Sequence, residues 1–546
     1  MKKQFLIAAI ICFVLFGLTL NYGWGATVYI NNVAGTVYYE SGASSCGDIT
    51  AADTAGDLQD AITASGALGI TYVCSNLTET ELDADSKIGF SNSGQSLIGV
   101  GTVVLDGNGV PAQVIYTDNI DGITISNIGV TGATAEGITF RNANNLIIDS
   151  CIVYRNSTVG IFIYARDQNI TGLQITNNTV YENGGADISS HHNIFLSSIV
   201  NGGNWDITSP VITGNTVYGA VNVGYTGIKL KGGPTGADTG TITGAIVSDN
   251  EVYGMEYGGI DLSGDVDDST VSDNYIHDLE WFGIGIQGDT APTDSDSNVL
   301  ENNIITTVAI RGVDGAGILF DSLSGTDNIA RYNIITDAAE SGFKIRSAGQ
   351  SVYYNIIKGS GESGVEISAP ITGNCSDAYN NTIYGLFSIA GIYITSTCTG
   401  AVGDIENNIV VDSGASPTGI RIESTADSFV ENYNLVYGFT NNCDDETPGG
   451  GSCGANDVNG DPLLTNSGAG DFTLQLTSPA INAGTLLSIH VDGWTDYAGI
   501  TRLYGGAPEI GAYETIQSKG TYPLLFPFGH FPWGSVPYYL PWYVAP

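Results

Sequence analysis

A short phrase, Asn-x-(Ile/Val)-x, keeps returning along this chain, as at Asn178, Asn215, Asn303, Asn333 and Asn381. A second phrase, Gly-(Ile/Val/Phe)-x-(Ile/Leu/Phe), alternates with it at Gly137, Gly160, Gly227, Gly259, Gly283, Gly317, Gly342, Gly364, Gly391 and Gly419. Copies of the asparagine phrase at 303, 333, 355, 381, 408 and 434 lie 30, 22, 26, 27 and 26 residues apart. That irregularity is wrong for helical repeats and natural for coils joined by loops of variable length. Within each phrase the apolar residues alternate, the period of a strand with one buried face. Such coils bury that face only by stacking on one another, about 4.8 Å apart. Stacking sets the asparagines above one another, where their amides can form a ladder inside a turn. The expected fold is all-β, a right-handed parallel β-helix solenoid.

Composition agrees: 74 Gly, only 2 Met and no long amphipathic period disfavour a helical protein. A repeat array can run as one body through a chain of 546 residues. Residues 1–25 read as an export signal, with Lys2 and Lys3 before the apolar run Phe5 to Leu20 and cleavage after Gly25. An uncleaved anchor is the other reading, because the run is near the lower length limit for a spanning helix. Residues 26–69 form an N-terminal cap in which Asp57 to Ile62 makes a short helix, with Thr54 or Asp57 as its N-cap. The solenoid is expected over 70–440, a C-terminal capping element over 441–514, and a tail over 515–546.

Export fits the cysteines. Cys46 with Cys74, Cys375 with Cys398, and Cys443 with Cys453 are plausible disulfides, and Cys151 reads as a buried free thiol in a strand. No zinc-ligand spacing is present, and no metal site is assigned. Loops such as Asp265-Val266-Asp267-Asp268 and Asp294-Ser295-Asp296 could take calcium but lack a full ligand loop, so acidic solvated turns are the preferred reading.

Without Lys2 and Lys3 the chain carries 14 basic against 57 acidic residues, a net charge of −43. Nucleic acid is thereby disfavoured as a partner. Polyanionic glycans would be repelled at long range unless cations bridge them or one face is locally basic. Six of the 14 basic residues fall on one strand column. In the glycine phrase the second and fourth residues after Gly face outward if the first and third face in. That column holds Arg141, Tyr164, Lys229, Lys231, Asp261, Gln287, Tyr393, Arg421 and Glu423 as ligand-binding candidates. It also holds Asp321, Lys344, Arg346 and Glu366 as catalytic candidates.

Two accounts of the column stand side by side. In one, Asp321, Lys344 with Arg346, and Glu366 stack as acid, base, acid, which keeps like charges apart in a parallel sheet. In the other, Asp321 and Glu366, two coils apart and so roughly 9 to 10 Å from each other, approach the spacing of an inverting glycosidase. Lys344 could alternatively act as a base beside Arg346 in a β-elimination. His191 and His192 fall in the longest insertion and read as a solvated loop pair, and His277 as an exposed turn histidine.

Over roughly residues 70 to 436 the chain resembles the pectin-lyase-like superfamily of parallel β-helix repeat proteins. Asp461-Pro462-Leu463, Ser478-Pro479-Ala480-Ile481-Asn482-Ala483-Gly484, Arg502 and Pro508-Glu509-Ile510-Gly511 resemble the choice-of-anchor Q element of secreted bacterial β-helix proteins. The second resemblance implies a bacterial extracellular or surface protein, and Asp496, Arg502 and Glu509 are expected to pin the cap. The Asn-Thr-Asp, Gly-His-Gly and Arg-Ile-Lys signatures of polygalacturonase-type enzymes are missing, and Phe343-Lys344-Ile345-Arg346 resembles the last only with its charges exchanged. The favoured expectation is therefore a secreted or surface protein that binds polysaccharide or mediates adhesion. The alternative is a lyase, epimerase or glycosidase with a divergent site. The tail from Tyr522 to Pro546 combines nine aromatic residues and six prolines with no Asp, Glu, Lys or Arg, and reads as a docking segment for a surface partner or for the solenoid itself.

Overall fold

The computed structural model describes residues 25–515, except 35, 83–86, 185–190, 199–203, 220–224, 234–238, 289–294, 310–314, 369–372, 396, 427, 448–452, 488–494 and 503–505. The signal segment, the aromatic tail and Asp294 lie outside the described residues.

Among the described residues, strands form long sheets of 17, 15 and 13 members, and each coil from Thr124 to Asp445 gives one strand to each. Thr124–Ser126, Gly129–Thr131 and Ile138–Arg141 make one such coil. Each next coil repeats it in parallel register, for example Ile147↔Thr124, Gly129↔Ile152 and Ile138↔Ile161. The inward columns of Ile, Val and Leu fuse into one core running the length of the solenoid. This is the right-handed parallel β-helix expected from the repeats.

The asparagine phrase marks the turn between the 17- and 15-stranded sheets. From Asn178 to Asn434 every ladder asparagine is buried, and each Nδ2 donates to the next Oδ1 at 2.9–3.0 Å. Each Oδ1 also accepts the backbone N–H of the preceding asparagine, and each Nδ2 donates to a strand carbonyl one coil back, as Asn303 does to Val271. The residue before the ladder position sits in the left-handed region, at φ 59° for Asn302 and Asn407. Tyr332 and Tyr354 hold that conformation at φ 58° and 59°, a costly state for an aromatic residue, and both rings pack outward against the C-terminal element.

The ladder ends are not asparagine. Where the ladder starts Cys151 takes the position, and its backbone N–H donates to Asn178 Oδ1 at 2.8 Å. It stands in the turn after Ile147–Asp149 rather than in a strand as expected, and burial pushes its thiol up to about 12. At the far end Asp457 Oδ1 accepts from Asn434 N–H at 2.8 Å. Burial and the neighbouring Glu431 push Asp457 up to about 9, so a protonated carboxyl stands in for an amide.

The ends of the stack extend further than the repeats indicate. Thr27–Val33 already pairs in parallel with Ile70–Val73, and an antiparallel excursion through Thr36–Ser41 and Thr54–Ala55 separates them. Asn441–Asp445 and Val458–Asn459 continue the parallel pairing past residue 440. The predicted helix spans Leu58–Ser65 and is capped by Asp57 and Asp60 in a reciprocal box. It buries Leu58, Ala61 and Ile62 in the first coil. All three expected disulfides are present, as is usual for proteins that fold outside the reducing cytosol.

Several carboxyls share the fate of Asp457. Burial, with its neighbour Glu514, raises Glu509 to about 9. Burial also raises Asp265 and Glu406 to about 7 and Asp377 to about 6. An acid whose folded pKa is raised contributes stability at low pH that is lost as pH climbs through the folded value. The melting temperature is expected to fall by several degrees between pH 5 and pH 9, and Asp457→Asn should flatten that fall. A melting temperature that rises over this range in a calorimetric pH series would refute the assignment.

Candidate functional site

The outward column falls on the 13-stranded sheet, in two rows. The second-place row runs Phe162, Phe195, Lys229, Asp261, Gly285, Leu319, Lys344, Glu366, Tyr393, Arg421. Arg141, Tyr164, Lys231 and Gln287 occupy the fourth-place row. Asp321, Arg346 and Glu423 follow their strands at the same place, just after Phe320, Ile345 and Ile422. Gly285 and Leu319 interrupt the polar run, so the column breaks into separate groups.

The first group is aromatic. Phe162 stacks on Tyr164 at 4.8 Å and on Phe195 at 5.0 Å, beside the Arg141–Asp118 ion pair. His192 sets its ring edge against Phe195 at 4.9 Å and Tyr225 at 6.2 Å. His191 and His192 are 7% and 1% exposed, so the expectation of a solvated histidine loop is corrected. Tyr225 stacks on Tyr257 at 4.2 Å, and Trp281 meets Tyr257 edge-on at 4.3 Å. Phe282 lies flat over the sheet because Gly258 and Gly285 leave it room: a Cβ at either would stand 2.3 or 2.7 Å from its ring.

Beneath this aromatic cover sits a charged pair. Lys229 Nζ contacts Asp261 Oδ2 at 2.6 Å, and Asp261 is 0% exposed although it points to the outer face. Among the described residues its second oxygen, Oδ1, has no hydrogen-bond partner, nor does Nε2 of Gln287. Tyr257 crosses above and donates from its hydroxyl to Gln287 Oε1 at 3.2 Å. Burial, with the Asp261 carboxylate, holds that hydroxyl well above its ordinary range. A buried polar oxygen left unpaired is costly unless something binds it.

The second group gathers the four catalytic candidates, but in two places. Arg346 pairs with Asp321 at 3.5 Å. Lys344 lies between Glu366 at 3.6 Å and Glu340 at 3.7 Å. Ser341 Oγ donates to Glu366 at 2.8 Å, and Gly315 N–H to Glu340 at 2.6 Å. Asp321 and Glu366 stand two coils apart and also two residues apart along the strand, a sideways offset that sets them roughly 12 Å from each other. A single column with facing carboxylates is not what forms. A general base must reach a proton on its substrate, whereas Lys344 is 4% exposed and directed at two carboxylates. The third group joins Tyr393, which donates to Glu423 at 2.6 Å, with Arg421 over the Tyr393 ring at 5.6 Å.

The residues missed from the sequence share one position. Tyr225, Tyr257 and Trp281 each stand two places before the Gly of the repeat phrase, as do His191 before Asn193 and Glu340 before Gly342. Tyr225, Tyr257 and Trp281 are linked coil to coil by backbone bonds from Tyr257 N–H to Tyr225 O and from Trp281 N–H to Tyr257 O. That third repeat was readable.

His277 also departs from expectation. It lies in the strand Tyr275–His277 and stacks on Tyr253 at 4.8 Å. Asp265 and Asp267 are half-buried rather than solvated, and burial with the neighbouring Asp267 raises Asp265. Among the described residues, Cys443, Cys453 and Asp457 come within 4.8 Å as metal-type ligands, but the two sulfurs are joined as a disulfide.

A family model described as the right handed beta helix region matches residues 198–383. No curated protein matches the chain. Similar solved structures include the Dettilon tailspike protein, 12% identical at TM-score 0.37 over 62% of this chain and 64% of that one, less than two thirds of its length. The periplasmic alginate epimerase AlgG is 12% identical at TM-score 0.34 over 61% of this chain and 77% of that one. PfbA, a surface adhesin of Streptococcus pneumoniae, is 13% identical at TM-score 0.40 over 65% of this chain and 88% of that one. Likenesses at this level assign no activity.

Proposed function

We propose that this chain is a secreted or cell-surface protein that binds a polysaccharide along the outer face of its 13-stranded sheet. The observation that carries the reading is the aromatic cluster around the Lys229–Asp261 pair, with Phe162 and Phe195 in the same row as the pair and Tyr225, Tyr257 and Trp281 alongside it. Sugar rings offer apolar faces to aromatic side chains and hydroxyls to charged groups, and a binding face needs both. The overall excess of acid favours a neutral glycan over a polyanion.

The enzymatic alternative, with Asp321, Lys344, Arg346 and Glu366 as its residues, has less support, because each of these is engaged in an ion pair within the wall. The test is titration of the protein with neutral and anionic polysaccharides, with and without calcium, while new chain ends are measured. Saturable binding without new ends is expected. Trp281→Ala and Tyr257→Ala should each weaken it about tenfold, and Lys344→Ala should leave affinity unchanged. Binding that is indifferent to Trp281 and Tyr257 sinks the proposal, and new chain ends would move the chain to the enzymatic reading.

A further inference from the structure

The outer face of the 15-stranded sheet is divided in two. Over its C-terminal coils it is covered: Ile334, Ile356, Ile409 and Leu435 pack under Phe472, Leu474, Ile510 and Ala512. Over its N-terminal coils it carries an open aromatic ladder. Tyr154, Tyr181, Tyr218, Tyr253 and His277 stand in register, their rings near-parallel at 5.1, 4.7, 5.0 and 4.8 Å. These residues are half-buried, and the exposed Ile152 stands beside the first of them. A shallow groove of about 260 Å³ opens there, lined by Val104, Ile152, Tyr154 and Tyr181.

The covering segment travels toward that ladder. Ile510 packs beside Ile409 and Leu435, Gly511 N–H donates to Asn407 O, and Ala512 N–H donates to Thr382 Oγ1. Tyr513 then joins the cluster of Ile356 and Ile334. Three residues thus step back along the solenoid axis, from the strand at Ile409 toward the strand at Ile334. The next strands on that path, Ile304–Val308 and Tyr275–His277, lead onto the ladder.

We propose that residues 516–546 continue this path and dock along the tyrosine ladder of the same molecule. From the strand at Ile334 to the strand at Tyr154 is six strand spacings, about 29 Å. Thirty-one residues in polyproline II geometry span on the order of 95 Å. The segment from Tyr522 to Pro546 has no Asp, Glu, Lys or Arg to desolvate, and its six prolines recur every four or five residues between aromatic ones. Proline-rich chain is already extended and loses little entropy on settling into an aromatic-lined surface. This face is separate from the proposed glycan face, so neither inference depends on the other.

A photo-crosslinking benzophenone amino acid at position 533 of the full chain tests the docking. Isotope-labelled and unlabelled copies are mixed, and adducts are mapped by mass spectrometry. The expected adducts are intramolecular and fall on peptides carrying Tyr181, Tyr218 or Tyr253. The triple variant Tyr181→Ser, Tyr218→Ser, Tyr253→Ser should lower their yield about tenfold. Adducts between labelled and unlabelled copies would assign the tail to a second molecule. Adducts elsewhere on the solenoid, or none, would also overturn the proposal. Should the triple variant fail to fold, the adduct map of the unsubstituted chain decides alone.

Discussion

Asn303→Ala is expected to cost about 3 to 5 kcal/mol of stability, among the largest effects of any single substitution in the solenoid. Asn303 Oδ1 accepts both the N–H and the Nδ2 of Asn274, at 3.1 and 2.9 Å, and its own Nδ2 donates to Val271 O and Asn333 Oδ1. Truncation leaves those groups in a turn with no solvent access, since Asn274, Asn303 and Asn333 are at most 1% exposed. An unmade buried hydrogen bond costs more than a made one contributes, and here several are lost at once. The chemistry also predicts the companion result. Asn303→Asp places a carboxylate where the ladder requires a donor, so it should be worse than alanine at neutral pH and recover in acid. A raised folded pKa favours the protonated form, so stability returns as pH falls. Urea denaturation at pH 7 and pH 4 measures both, and an alanine loss below about 1 kcal/mol would mean the ladder is dispensable.

Why the fold was legible and the site only partly so follows from which residues repeat. The ladder asparagines and the Gly-Ile-x-Ile strands recur because every coil imposes the same burial on the same position, and the three disulfides bridge neighbouring turns. Cys151 and Asp457 were opaque because they hold the ladder position where the asparagine ladder begins and ends, and there chemistry substitutes for identity. The first coil was missed because the Thr36–Ala55 excursion separates Thr27–Val33 from its partner strand. Along the outward column charge alone was followed, and Asp261, Lys344 and Glu366 within it are buried. Tyr257 and Trp281 lie across the strands from positions before the glycine, so alternation within a strand could not bring them over Asp261. The partner of Lys344 was missed for the same reason, since Glu340 stands before the strand in the same column.

Removing Arg502 is expected to release the C-terminal element while the coils stay folded. Its guanidinium pairs with Glu514 at 2.6 Å, donates to the carbonyls of Glu509 and Gly511 at 3.3 and 2.9 Å, and covers the Tyr354 ring at 4.2 Å. Both side chains of the ion pair are almost fully buried, at 2% and 0% exposed. Arg502→Met leaves the Glu514 carboxylate beside Glu509 and Asp496 with no cation, a loss of about 3 to 5 kcal/mol for a broken buried pair. The rest of the attachment is the apolar packing of Phe472, Leu474, Ile510 and Ala512 on Ile356, Ile409 and Leu435, with hydrogen bonds such as Gly511 N–H to Asn407 O, Ala512 N–H to Thr382 Oγ1 and Tyr332 hydroxyl to Thr495 O, and none of these replaces the buried cation. Calorimetry should therefore resolve an early transition for residues 461–515 ahead of the main one, and protease should cut there first. Arg502→Lys should rescue only in part, since an ammonium cannot meet a carboxylate and two carbonyls in the planar fork that arginine offers. If Arg502→Met instead melts in one transition at the parent temperature, these contacts do not depend on the arginine, and the ion pair is incidental to how the element is held.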